Sequence, residues 1–196
     1  MFQREITKEE VAGLDLIEFK GPIGVIDSIE TFESAIGQIK DHTLLGFDTE
    51  TRPSFKKGRL YPTSLIQLAT MDRSWIIRVS RIGYPKKLLE LLSSEDIIKI
   101  GSGLNDDLRR LRSDFLFEPA GFLDLQQYVK AFQIEEKGLK KMSGIVLGRR
   151  ISKSQQVSNW DADILTKAQL RYAATDAWIC LEIYNALRNS ISNIHG

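Results

Sequence analysis

Apolar and polar positions alternate between two rhythms along the chain. Short apolar runs at Ile23–Ile26, Leu44–Glu50, Ser64–Thr70, Ser74–Val79, Ile97–Ile100 and Phe122–Leu123 predict strands. Leu44–Glu50 is almost without polarity up to its first acid and predicts a central strand; Ile23–Ile26 predicts an edge strand. The Met71-Asp72-Arg73 turn makes the strands on either side an antiparallel hairpin. Between the strands the period lengthens to that of helices. One helix, capped by Asp27 or Ser28, carries Phe32, Ala35, Ile36 and Ile39 on one side. Others are predicted over Pro85–Leu92, Leu104 to about Arg112, Leu125–Phe132 and Lys137–Leu147, and a long last one follows Thr166 to about Asn189. Gly148–Trp160 reads as a loop. Strands alternating with helices, with one hairpin near the front, predict an α/β fold in which helices cover both faces of a mixed sheet. No Pro/Gly/Ser-rich linker interrupts the 196 residues, so residues 1–196 are expected to form a single domain.

Composition narrows the chemistry. There are 27 basic and 26 acidic residues, a formal net charge of +1, so a polyanion must be held by local clusters rather than by bulk charge. One cysteine, Cys180, excludes an internal disulfide and a Cys-rich zinc site. The charged start MFQREITKEE lacks the apolar run of a signal peptide, and no apolar stretch approaches the length of a membrane span. A cytoplasmic protein without a membrane partner is the expectation.

Asp48 and Glu50 lie two apart on a predicted strand, so both side chains face the same way. Converging carboxylates repel unless a cation sits between them. Roughly three acid pairs at this spacing arise by chance in such a composition, so the pair alone says little. On the helix from Leu104, the apolar positions are Leu104, Leu108 and Leu111. Asp107 falls at the edge of that face and reads as half-buried; Asp106 falls on the solvent side, near Arg110. Tyr172 and Asp176, four apart, stack on one side of the last helix, bordering Ala173, Ala177, Cys180 and Tyr184. Four carboxylates and a phenol at core-facing edges form an all-oxygen set suited to hard divalent ions such as Mg²⁺ or Mn²⁺. A pair of such ions is a known solution for phosphodiester displacement.

Asp48-Thr49-Glu50, Asn105-Asp106-Asp107 and Tyr172-Ala173-Ala174-Thr175-Asp176 resemble, in order, the three motifs of the DEDDy 3′–5′ exonucleases, the family of ribonuclease D and the Werner helicase exonuclease domain. Ser64–Leu68, Gly101-Ser102-Gly103-Leu104 and Ser158-Asn159-Trp160 extend the likeness over about residues 20–190. The resemblance implies a ribonuclease H-like mixed sheet of five to six strands in which the second strand runs antiparallel. It implies that Asp48, Glu50 and Asp176 hold one metal, that Asp48, with Asp107 through water, holds the other, and that Tyr172 orients the attacking water. It implies a nucleic-acid substrate with a free 3′ end, single-stranded or recessed, cut to nucleoside 5′-monophosphates, with DNA expected ahead of RNA. An RNA-specific ribonuclease D-like enzyme, a cleaner of very short RNA, and a non-catalytic binding protein that keeps the fold are the competing readings. His42 and His195 match no motif position.

Substrate contacts are sought in two basic stretches that contain no acid. Lys137–Trp160 holds Lys137, Lys140, Lys141, Arg149, Arg150 and Lys153; Thr51–Leu60 holds Arg52, Lys56, Lys57 and Arg59. Phe55, Tyr61 and Trp160 could stack on bases or anchor loops. Ile100-Gly101-Ser102-Gly103 looks like the start of a dinucleotide turn, but Asp106 occupies the third glycine's place, and an acid there opposes a pyrophosphate.

Overall fold

The computed structural model describes residues 2–54 and 61–192. The elements run α1 (Lys8–Gly13), β1 (Ile23–Ile26), α2 (Ile29–Lys40), β2 (Leu44–Thr51), β3 (Thr63–Ala69), β4 (Ser74–Ile77), α3 (Val79–Ile82), α4 (Lys86–Leu92), β5 (Ile98–Gly101), α5 (Leu104–Asp114), β6 (Phe122–Asp124), α6 (Leu125–Tyr128), a 3₁₀ turn (Val129–Phe132), α7 (Leu139–Leu147) and α8 (Lys167–Ser192). The six strands form one sheet in the order β1-β4-β3-β2-β5-β6. β3 is antiparallel to β2 and β4; every other pairing is parallel. Counted from β2, the second strand is therefore the reversed one, as the resemblance implied, and this is the ribonuclease H-like arrangement.

The alternation of side chains divides the core in two. Leu65 and Ala69 of β3, Ile76 of β4 and Ile100 of β5 meet Ala173, Ala177, Cys180 and Leu181 of α8 on one face. Leu45 and Phe47 of β2, Ile66 and Leu68 of β3, and Ile77 of β4 meet Phe32 and Ile36 of α2, Leu88 and Leu91 of α4, and Leu104 and Leu111 of α5 on the other. Helices on both faces are thus confirmed, and Ser28 rather than Asp27 caps α2.

Three elements depart from expectation. The predicted helix over 125–132 is broken into α6 and a tighter 3₁₀ turn, ended by Gln133 at φ 62°. α7 starts at Leu139, because Gly138 takes an extended conformation as its N-cap. The strand from Ser74 stops at Ile77, and α3 follows. The short helix α1 has no counterpart among the predicted elements; its Thr7–Glu10 capping box is a purely local signal. No helix among the described residues is long and apolar enough to cross a membrane.

Candidate active site

β2 is flanked by β3 and β5, and its residues Gly46, Asp48 and Glu50 share the face under α8. A Cβ at Gly46 would lie 2.0 Å from the Ala177 carbonyl oxygen. Only glycine permits this approach, which seats α8 directly on β2. Asp176, one residue earlier, is thereby lowered onto the strand. Carboxylate oxygens of Asp48, Glu50 and Asp176 lie within 4.8 Å of one another. Asp176 is 7% exposed; Asp48 and Glu50 are half-buried.

Asp107 arrives from the other side of the sheet, on α5. Thr49 faces opposite to Asp48, and its hydroxyl donates to Asp107 Oδ1 at 2.5 Å. Both ends of α5 are held. The Asp124 carboxylate accepts the N–H groups of Gly103 and Leu104 at 3.0 Å and of Gln126 at 2.8 Å. At the far end Asp114 accepts from the Thr63 N–H at 2.8 Å and the Tyr84 hydroxyl at 3.1 Å. Asp107 is half-buried and Asp106 exposed, as the helix period predicts. The partner of Asp106 is Arg109, at 2.8 Å, not Arg110. Arg110 turns instead to the Tyr61 carbonyl and acts on Asp107.

Burial holds protons on all four acids, and at Asp48 and Glu50 the neighbouring carboxylates add to it. Burial, and then the charges of Asp176, Glu50 and Asp107, raise Asp48 well above the usual carboxylate range. Burial, with Asp176 and Asp107, raises Glu50 to about 9. Burial raises Asp176 to about 7, against the opposing pull of the Tyr172 hydroxyl and the Lys153 ammonium. Asp107 rises to about 6, again chiefly by burial, with the Thr49 hydroxyl and Arg110 opposing. A pocket of acids that cannot all ionise at neutral pH is short of positive charge. Its ligand atoms are all oxygen, so hard divalent cations fit it.

Tyr172 lies one turn before Asp176. Burial, then the nearby Asp176 and Glu50 carboxylates, push its hydroxyl above the usual phenol range. Its ring packs on Trp160, centroids 6.0 Å apart. Trp160 is fully buried, so of the two roles open to it the structure selects the anchor over the base-stacking platform. Its indole N–H, without a hydrogen bond of normal geometry, acts on Glu50 and partly offsets the rise there. The loop that carries Trp160 is tied down from two sides. Gln169 Nε2 donates to the Asn159 carbonyl at 3.2 Å. The buried Arg78 guanidinium donates to the Ala162 and Asp163 carbonyls.

The structure thus brings Asp48, Glu50 and Asp176 into one cluster, with Asp107 and Tyr172 beside it. Thr49 is the support of the site that sequence reasoning missed, whereas Trp160 takes one of the two roles left open for it. Thr49 sits inside the first of the three motifs, but strand alternation turns it away from Asp48 and so hides its role. Several expected substrate cations are committed elsewhere: Lys141 to Glu136, Arg149 to Asp15, and Arg150 to the Leu14 carbonyl. Arg52 lies 5.2 Å from the Tyr61 ring centre. Phe55, Lys56, Lys57 and Arg59 lie outside the described residues.

Residues 23–192 match a family model described as a 3′–5′ exonuclease. The chain is 31% identical over 186 residues to the bifunctional 3′–5′ exonuclease/ATP-dependent helicase WRN of Mus musculus. That match takes in 90% of the chain and 13% of the helicase. It is 28% identical over 197 residues to the exonuclease mut-7 homologue of Aedes aegypti, covering 88% of the chain and 27% of that protein. The chain therefore spans about a quarter or less of these relatives' lengths. Among solved structures, the EXO domain of Aedes aegypti Nibbler superposes with a TM-score of 0.81 at 27% identity, over 91% of this chain and 94% of that one.

Proposed function

Since the chain belongs to the 3′–5′ exonuclease family, we propose that it hydrolyses phosphodiester bonds from the 3′ end of single-stranded or recessed nucleic acid, releasing nucleoside 5′-monophosphates. The observation that carries this reading is the cluster of Asp48, Glu50 and Asp176 oxygens within 4.8 Å, beside Asp107 and the Tyr172 hydroxyl. Asp48, Glu50 and Asp176 would hold one divalent cation, Mg²⁺ or Mn²⁺, and Asp48 with Asp107 a second.

The two ions, when bound, supply a water acidic enough to attack at neutral pH and a counter-charge for the departing 3′ oxygen. The protein's own groups do the rest. The water's oxygen joins phosphorus, and the bond from phosphorus to the 3′ oxygen of the preceding nucleotide breaks, that oxygen leaving with a proton. Burial and the neighbouring carboxylates favour the protonated form of the Tyr172 phenol, so its role is to orient the water rather than to take its proton. Trp160 fixes the ring that carries this hydroxyl. Thr49 aims Asp107, and Lys153, within electrostatic reach of Asp176, adds positive charge at the rim where the phosphate must sit.

The test is cleavage of 5′-labelled DNA and RNA, side by side, with Mg²⁺, Mn²⁺, Ca²⁺ and chelator. A ladder shrinking from the 3′ end with Mg²⁺ or Mn²⁺, and none with chelator, is the expected result; DNA cut faster than RNA is the expected order. Internal cuts, or cleavage undiminished by chelator, would overturn the reading. Binding without cleavage in every metal would return the non-catalytic alternative.

A further inference from the structure

At the ends of β5 and β6 lies a trough of about 580 Å³ lined by Arg4, Gln126, Lys130, Gln133, Glu135 and Lys137, among others. Gln126 connects it to the site. Its N–H donates to Asp124, the residue that also holds the start of α5, one turn from Asp107. Its Nε2 would stand 3.0 Å from a Cβ placed on Gly103, and it donates to the Lys137 carbonyl at 3.0 Å. The trough therefore begins where Asp107's helix begins.

Its charge is positive. Glu135 is paired with Arg4, so Lys130 and Lys137 are not offset by it. Lys130 donates to the neutral Gln127 at 2.7 Å, and neither lysine forms an ion pair among the described residues. The trough also contains Gln133, the single non-glycine at positive φ among the described residues. Such a conformation is disfavoured for a side chain with a Cβ and is over-represented at ligand sites. Carboxamides and ammonium groups in a wet, open channel suit phosphate and sugar oxygens better than an apolar ligand.

We infer that this trough carries the sugar–phosphate backbone on the 5′ side of the scissile bond, so that the preferred substrate is a single-stranded 3′ tail long enough to reach Lys130 and Lys137. The inference rests on the exonuclease reading for its function, but its binding test does not. Lys130→Glu/Lys137→Glu changes two exposed side chains outside the acidic cluster. Kd for a labelled ten-nucleotide strand is measured by fluorescence anisotropy in chelator over a range of salt. Cleavage is measured on that strand with Mn²⁺ and on the p-nitrophenyl ester of thymidine 5′-monophosphate, which occupies only the metal site. Lys40→Glu/Lys86→Glu, on α2 and α4, carries the same charge change as a control.

The expected result is a rise in Kd of about tenfold or more in the trough variant alone. The salt slope should fall by about 1.4, that is, by about 0.7 for each single-strand phosphate no longer neutralised. Hydrolysis of the ester should stay within about twofold of the parent. An unchanged Kd, an equal rise in the control, or strand and ester falling together would overturn the inference. Failure of the parent to cleave either substrate would overturn the exonuclease reading, while the anisotropy result would still decide the trough.

Discussion

Gly46 on β2 and Ala177 on α8 approach so closely that a Cβ on the glycine would stand 2.0 Å from the Ala177 carbonyl oxygen. That carbonyl belongs to backbone and cannot swing aside. Gly46→Ala must push α8 off the strand and carry Asp176 away from Asp48. A loss of about 1–3 kcal/mol of stability is expected from overpacking. Thermal melts should show it, and activity should fall further than stability does. Gly37→Ala is the control: it lies mid-helix on α2 with open space around it, and a gain of about 0.5–1 kcal/mol is expected.

Thr49→Val keeps the shape and removes the hydroxyl that donates to Asp107. Loss of such an outer partner of a metal-binding group is expected to cost about 10–100-fold in metal affinity or activity. Calorimetric titration with Mn²⁺ beside the cleavage rate checks it. Unchanged affinity and rate would mean that Asp107 needs no such guide.

Tyr172→Phe keeps the packing on Trp160 and deletes the hydroxyl. A positioned proton-handling or orienting group of this kind contributes on the order of 10²–10⁴-fold. The fall should appear in kcat, with KM for the oligonucleotide nearly constant. An unaltered kcat would take the water-orienting role from Tyr172.

The same acids make the metal-free protein sensitive to pH. Asp107, Asp176 and Glu50 are raised to about 6, 7 and 9 from ordinary values near 4. Across that window the folded protein binds more protons than the unfolded chain, so folding stability falls as pH rises. Melts in chelator should show Tm declining from about pH 5 to about pH 9. Asp48→Asn should flatten the decline by removing one member of the cluster, and saturating Mn²⁺ should flatten it by supplying charge. Asp48→Asn should also reduce cleavage by more than about 100-fold, the upper range for disturbing only a ligand's outer partner. A Tm independent of pH in chelator would show that the carboxylates do not confront one another in the folded state.

Much of the sheet is legible in the sequence because period and strand length are local. The apolar run of Leu44–Glu50 marks it as central, and the reversal at Met71-Asp72-Arg73 places β3 antiparallel to β4. The shared face of Asp48 and Glu50 follows from strand alternation alone. The Thr49–Asp107 bond is not legible, since its partners are 58 positions apart on different elements. Sequence does not divide stacking platform from anchor at Trp160, because either role suits an aromatic in a loop. Its burial depends on Arg78 and Gln169, which tie down the surrounding segment. The basic stretch over 137–160 reads as one surface along the chain, whereas distant acids and carbonyls claim Arg149 and Arg150 and leave Lys137 to the trough.

β2 pairs with β5 over Leu44–Gly46 and with β3 from Gly46 through Asp48 and Glu50 to Thr51, and α8 is pressed on one face. Amide protons of a strand so placed exchange with solvent chiefly when the whole molecule opens, unlike those of frayed ends or loops. Asp48 and Glu50 are thus carried on a strand of the central sheet rather than on a loop or a chain end. Heat inactivation should consequently follow the cooperative melt instead of preceding it.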